Sequence, residues 1–301
     1  MAATFSLVGT AEAKPGSAPK TTDQFFELGR FLFALGLATL GVQIPLVGDF
    51  TLGLAPAPSW LPLQLPLAYV SAAFLLGAAM SIASGWRARV GALAAAVLFF
   101  AWLLLLQLPR LAANPADAAQ WASASQTLAL FATAWFVAAH AQPMPFNTTR
   151  SAPIDAGLVW ASRAFGVCLL AFGALQWLLH DFVAAMIPMW MPAHSILAYF
   201  VGAADIAAGI AVITGVQGRL AALLLGGMFA SWVVLLHIPR VMAAPGSRGE
   251  WTGLLIAIAL SGAAWLIAST FARAPKALSS SARAEAAIHN PLPDGALQEA
   301  A

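Results

Sequence analysis

Asp205, His237, Arg240 and Glu250 stand within or beside otherwise apolar stretches of the chain, with His180 and His194 nearby. An ionisable group in hydrocarbon is costly, so it turns to a bundle interior, a partner or a wet cavity. Asp205 follows His194 by eleven residues, which places it about 16 Å further along a helix. That depth suits a proton relay or a ligand contact, and equally a protonated acid bonded to a neighbouring helix. Gln176 and His180, four apart, share one helix face. His237 and Arg240 are three apart, although Pro239 predicts a helix end between them. Glu250, just before Trp251 at a helix start, suits a headgroup or ion contact or the helix dipole. His180, His237 and Glu250 are ligand types that a divalent metal or a b-type haem uses. No HxxxH or HxxEH spacing supports either, and no metal site is assigned. A quinone headgroup needs one or two donors beside aromatic walls, and Trp190, Trp232, Trp251 and Tyr199 could build them. Each residue also has a purely structural reading: snorkelling for His237, a shared architectural role for Arg240, packing for His180 and His194.

The elements that hold these groups are membrane helices. Of 301 residues, 61% are hydrophobic and 9% charged, against about 25% charged in ordinary soluble domains. Mean hydropathy is +0.82. A soluble enzyme, a disordered chain and a nucleic-acid binder are excluded, and a net charge of +2 is too small to drive phosphate binding. The single cysteine, Cys168, cannot form an internal disulfide or a CxxC pair. Apolar runs near 25–46, 66–84, 89–108, 120–139, 158–180, 194–214, 219–238 and 251–270 are each long enough for about 30 Å of hydrocarbon. They are continuous rather than alternating, which predicts helices and not a barrel. Residues 1–24 lack the apolar core of a signal peptide and read, with 272–301, as solvated tails. Eleven Lys and Arg fall on one side of this topology and three on the other, which places both termini in the cytoplasm.

The chain reads as a tandem duplication. Shifted by 130, residues 60–138 align without a gap to 190–268. Matches include Trp60/Trp190, Tyr69/Tyr199, Gly85/Gly215, Arg89/Arg219, Trp102/Trp232, Pro109/Pro239, Arg110/Arg240 and Trp121/Trp251. Upstream, a shift of 133 pairs Arg30 with Arg163 and Gln43 with Gln176. Four spans per copy is an even number, so the copies run parallel. The expected architecture is all-α, with eight transmembrane helices forming two parallel four-helix bundles. The repeats are 25–140 and 158–271, joined by a cytoplasmic linker at 141–157. The ionisable groups gather in the second copy: Leu75, Gln107 and Gln120 become Asp205, His237 and Glu250.

The second copy resembles the DoxX family of small bacterial four-helix membrane proteins. The resemblance rests on Met189-Trp190-Met191-Pro192, the stretch Gly202 to Gly209 with Asp205, the turn Thr214 to Arg219, His237-Ile238-Pro239-Arg240 and Pro245 to Trp251. The family's second helix usually carries Glu where this chain has Asp205. The first copy looks like a degenerate member without the acid and the histidine. The resemblance implies a multi-pass protein of the bacterial inner membrane, in contact with the lipid bilayer. It implies an anchor or quinone-side subunit of a redox or stress-response complex, with quinone as the cofactor to test. A proton-coupled or small-solute transporter and a structural scaffold are the alternatives, and whether the chain is itself an enzyme stays open. The residues expected to bind a ligand or proton are Asp205, His237, Arg240, Glu250, His180, Gln176 and Tyr199.

Overall fold

The computed structural model describes residues 20–141 and 152–273, except 52, 59 and 60. Most of both expected tails and of the linker, together with Trp60, lie outside the described residues. The elements are α1 (Lys20–Val47), α2 (Gln64–Ser84), α3 (Ala88–Trp102), α4 (Leu108–Ala113), α5 (Ala118–His140), α6 (Ala152–Leu178), α7 (His180–Met186), α8 (His194–Thr214), α9 (Gly218–Trp232), α10 (Ile238–Ala243) and α11 (Arg248–Ala268). No strand forms among the described residues. Eight helical stretches of 21 to 26 residues are long and apolar enough to cross a membrane. A short 3-10 turn, Ser269–Arg273, follows α11, and α6 begins inside the expected linker.

Turns recur at the 130-residue spacing. Gly85 and Gly215 close α2 and α8 in the left-handed region, at φ 76° and 78°, where a side chain is disfavoured. Asp117 caps α5 by accepting from the Ala119 N–H at 2.9 Å, and Ser247 caps α11 by accepting from Glu250 N–H at 3.4 Å. The Trp121 indole donates to the Pro115 carbonyl at 2.9 Å, and Trp251 to Pro245 at the same distance.

Pro239 does not end its helix, contrary to the expectation from sequence. A π-turn at Val233–His237 joins α9 to α10, and Leu103–Gln107 does the same between α3 and α4. Proline has no N–H and its ring crowds the carbonyl four residues back. Widening the preceding turn relieves that clash while the chain stays helical. Ile238 N–H reaches back five residues to the Val233 carbonyl, and Leu108 N–H to that of Leu103. The extra residue rotates Gln107 and His237 relative to their helices. Such π-turns concentrate at functional sites.

The two expected four-helix bundles do not form as separate bodies. α5 and α11 pack on each other at the centre. From α11 an arc of α1, α2 and α3 returns to α5; from α5 an arc of α6, α8 and α9 returns to α11. The result is two five-helix rings sharing the α5–α11 pair. The first helix of each half thus packs on the last helix of the other half. Small residues explain why. Gly29 and Gly36 of α1 lie against Gly262 and Ala259 of α11, and a Cβ added at Gly29 would sit 2.9 Å from the Gly262 carbonyl oxygen. Lipid offers little hydrophobic drive between helices, so close backbone approach selects the partner.

Candidate functional site

The ring formed by α5, α6, α8, α9 and α11 lines a partly open cavity of about 310 Å³. Its walls are mainly apolar and aromatic, including Phe172, Phe229, Trp232, Ile256 and Leu260. α7 lies across one side through Phe182, Val183 and Met186. The volume is that of a small-ligand pocket, and a few polar groups in an apolar wall is the usual composition of one.

Four polar side chains face this space: Asp205, Gln176, His237 and Gln126. Asp205 is fully buried in the middle of α8. Gln176 Nε2 donates to Asp205 Oδ2 at 2.6 Å. The other carboxylate oxygen, Oδ1, has no partner, and neither do Gln176 Oε1, Trp232 Nε1 and His237 Nδ1. Buried polar atoms are nearly always bonded. Four unpartnered polar atoms on residues lining one cavity are a set of donors and acceptors that a ligand could satisfy. Among the described residues no Lys or Arg lines the cavity.

Gln176 and its counterpart Gln43 have different partners. Gln43 points across α1–α11, accepting from the Thr252 hydroxyl at 3.1 Å and donating to the Arg248 carbonyl at 3.4 Å. On the α6–α5 side the residue matching Thr252 is Ala122, a cavity wall. With no hydroxyl to meet, Gln176 turns to Asp205, which replaces Leu75 of the first half.

The other expected site residues fall elsewhere. Arg240 and Glu250 do not line the cavity; they satisfy each other in a two-pronged ion pair, Nε to Oε2 at 2.7 Å and Nη2 to Oε1 at 2.5 Å. The pair clasps α10 to the start of α11, and its charges are spent there rather than on a headgroup. Arg240→Ala is expected to lower stability by about 2 kcal/mol, read as a thermal shift, without changing what the cavity binds. His180 stacks on Tyr199 with ring centroids 4.3 Å apart and meets Asp181 Oδ1 at 3.0 Å, outside the cavity wall. His194 bonds the Pro188 carbonyl at 3.0 Å. Among the described residues no group of three or more His, Cys, Asp or Glu could hold a metal ion, so His180, His237 and Glu250 do not converge. Trp190 and Trp251 are not cavity walls; Trp232 is.

Sequence reasoning missed the contribution of the first half, Ala122 and Gln126 on α5, and the α7 cover. It also missed a plug. In the other ring residues 50, 51 and 53–55 lie at the corresponding place, with Phe50, Thr51, Leu54 and Ala55 all buried. Gln107, the match to His237, holds it, donating to the carbonyls of Leu54 at 2.8 Å and Gly53 at 3.0 Å. Arg248 anchors its start through Asp49 Oδ2 and the Phe50 carbonyl, both at 3.2 Å. Gln107→Leu strands the Gly53 carbonyl and leaves that of Leu54 only the Thr127 hydroxyl at 3.4 Å, and is expected to cost about 1–3 kcal/mol in a melting experiment. His237→Leu, which breaks no such bond, is expected to cost less.

No curated protein and no solved structure matches the chain. The DoxX family model matches residues 161–238, a stretch that runs from α6 through the π-turn carrying His237 and includes Gln176, Asp205 and Trp232. The chain is a multi-pass membrane protein that carries a DoxX domain at residues 161–238.

Proposed function

We propose that this protein binds a small, largely apolar molecule with a polar end in the cavity between α6, α8, α9, α11 and α5. The observation that carries the reading is the set of four unpartnered polar atoms on Asp205, Gln176, Trp232 and His237, all residues lining one cavity. We further read the two halves as copies of one unit, the termini as cytoplasmic and the membrane as the bacterial inner membrane, with the cavity toward the opposite side. The recurrence of caps, π-turns and indole bonds at one spacing supports duplication, and the distribution of Lys and Arg supports the orientation. Such a site serves a small-solute transporter, in which a deep acid is the natural coupling group. The test is extraction: solvent extracts of the purified protein, analysed by mass spectrometry, should contain a small molecule that is missing from an Ala257→Phe variant, whose new ring fills the cavity. Identical extracts from both proteins would overturn the reading and favour a structural scaffold.

A second reading, a quinone-side or anchor subunit of a redox complex, is favoured by two groups. Trp232 Nε1–H is a free donor and His237 can supply another, one for each carbonyl of a quinone ring. Quinone present in the wild-type extract and absent from the Ala257→Phe extract supports this role; an extract free of quinone removes it.

A further inference from the structure

The reading above leaves the chemical class of the occupant open, and the atoms facing the cavity narrow it. Two of the four unpartnered atoms, Asp205 Oδ1 and Gln176 Oε1, are pure acceptors. They belong to side chains already joined by the 2.6 Å bond from Gln176 Nε2 to Asp205 Oδ2, so they form one acceptor pair at the floor of the space. A quinone ring, which only accepts, leaves both unsatisfied. An ionised carboxylate buried without a cation is costly, and Arg240, three residues from His237, is committed to Glu250. The positive charge that would settle Asp205 is therefore absent from the protein walls and is best brought by the occupant. The walls suit such a charge. Phe172, Phe229 and Trp232 line the cavity, and Phe182 approaches from α7. Aromatic faces attract cations, most strongly when water is excluded. His237 is the other titratable group facing the space, and its Nδ1 has no partner.

We infer that the cavity binds a lipophilic amine: a protonated primary or secondary nitrogen donates to Asp205 and Gln176 while an apolar or aromatic body fills the space among the rings. The inference rests on the cavity being a ligand site, and the experiment separates the two claims. The full-length protein in lipid nanodiscs is titrated calorimetrically with 2-(1-naphthyl)ethylamine, with its neutral analogue 2-(1-naphthyl)ethanol and with a short-chain ubiquinone; empty nanodiscs give the membrane background. Asp205→Asn, which keeps an acceptor and the shape but not the charge, and Ala257→Phe are titrated alongside. The amine is expected to bind the wild type, to bind at least about tenfold more weakly to Asp205→Asn, and to be lost in Ala257→Phe. The alcohol is expected to bind at least about tenfold more weakly than the amine, a comparison that needs no variant to fold. Equal binding of amine and alcohol, or tightest binding of the quinone, overturns the amine inference while loss in Ala257→Phe keeps the cavity reading. Failure of all three probes to exceed the background overturns both.

Discussion

Asp205→Leu is expected to abolish binding of the cavity's occupant while leaving the melting temperature of the empty protein within about 3 °C of wild type. The variant copies the first half, where Leu75 holds the matching place and is fully buried. A leucine at 205 cannot accept a hydrogen bond, so the floor of the cavity loses its acceptors and its tie to Gln176. The stability expectation follows from the orphan oxygen. Asp205→Leu removes one buried orphan, Oδ1, and creates another, Gln176 Nε2, whose partner is Asp205 Oδ2; each is worth about 1–3 kcal/mol, so the gain and the loss largely offset. If Asp205 were helix-packing glue, removing it would instead lower the melting temperature by well over about 3 °C and leave binding intact. The two measurements, a melt and a titration, thus separate the functional reading of this acid from the structural one.

Gly262→Leu is expected to destabilise the protein by about 3 kcal/mol or more, enough to lower the yield of monodisperse protein. A Cβ at this position would lie 2.6 Å from the Gly29 carbonyl oxygen and 3.0 Å from the Leu32 carbonyl carbon, both on α1. Backbone atoms cannot rotate away, so the α1–α11 crossing must open. Gly227→Leu is the control. It lies on α9 with nothing within 4 Å of the added Cβ, and its replacement is expected to be neutral or slightly stabilising through helix propensity. The comparison tests the helix pairing itself. Two independent bundles would need α1 against α5, and a bulky residue on α11 facing α1 would then cost little.

The span count, the 130-residue spacing and the gathering of ionisable groups in the second half were all legible in the sequence, because hydropathy runs and rare residues such as Trp and Tyr carry them. The helix partners were not. Gly and Ala are frequent throughout this chain, so the residues that set the α1–α11 and α6–α8 crossings do not stand out from the rest. The site was half legible. Asp205 and Gln176 were recognisable as a buried acid and a face-sharing amide, and His237 as an ionisable substitute for Gln107. Arg240 and Glu250 looked equally available, yet their distance in the chain gave no sign that α10 and the Ser247 cap bring them together. The plug was invisible for a different reason. The segment 50–55 reads as an ordinary loop, and the burial of Leu54 within it depends on Gln107 being turned inward by a π-turn that only Pro109 hints at.

The central claim is that one ring holds a mainly apolar cavity with a few polar groups and that the other is filled by the chain's own loop. Cysteine labelling at paired positions tests it most directly. Ala257 lines the cavity, and Thr127, 130 residues earlier, is fully buried, with its hydroxyl 2.9 Å from the Ser123 carbonyl and 3.4 Å from that of Leu54 in the plug. In a Cys168→Ala background, the Ala257→Cys and Thr127→Cys proteins are exposed in nanodiscs to a small methanethiosulfonate reagent and read by intact mass. The structure predicts labelling at position 257, slowed by a cavity ligand, and none at 127. Equal labelling at both positions, or none at 257, would contradict it.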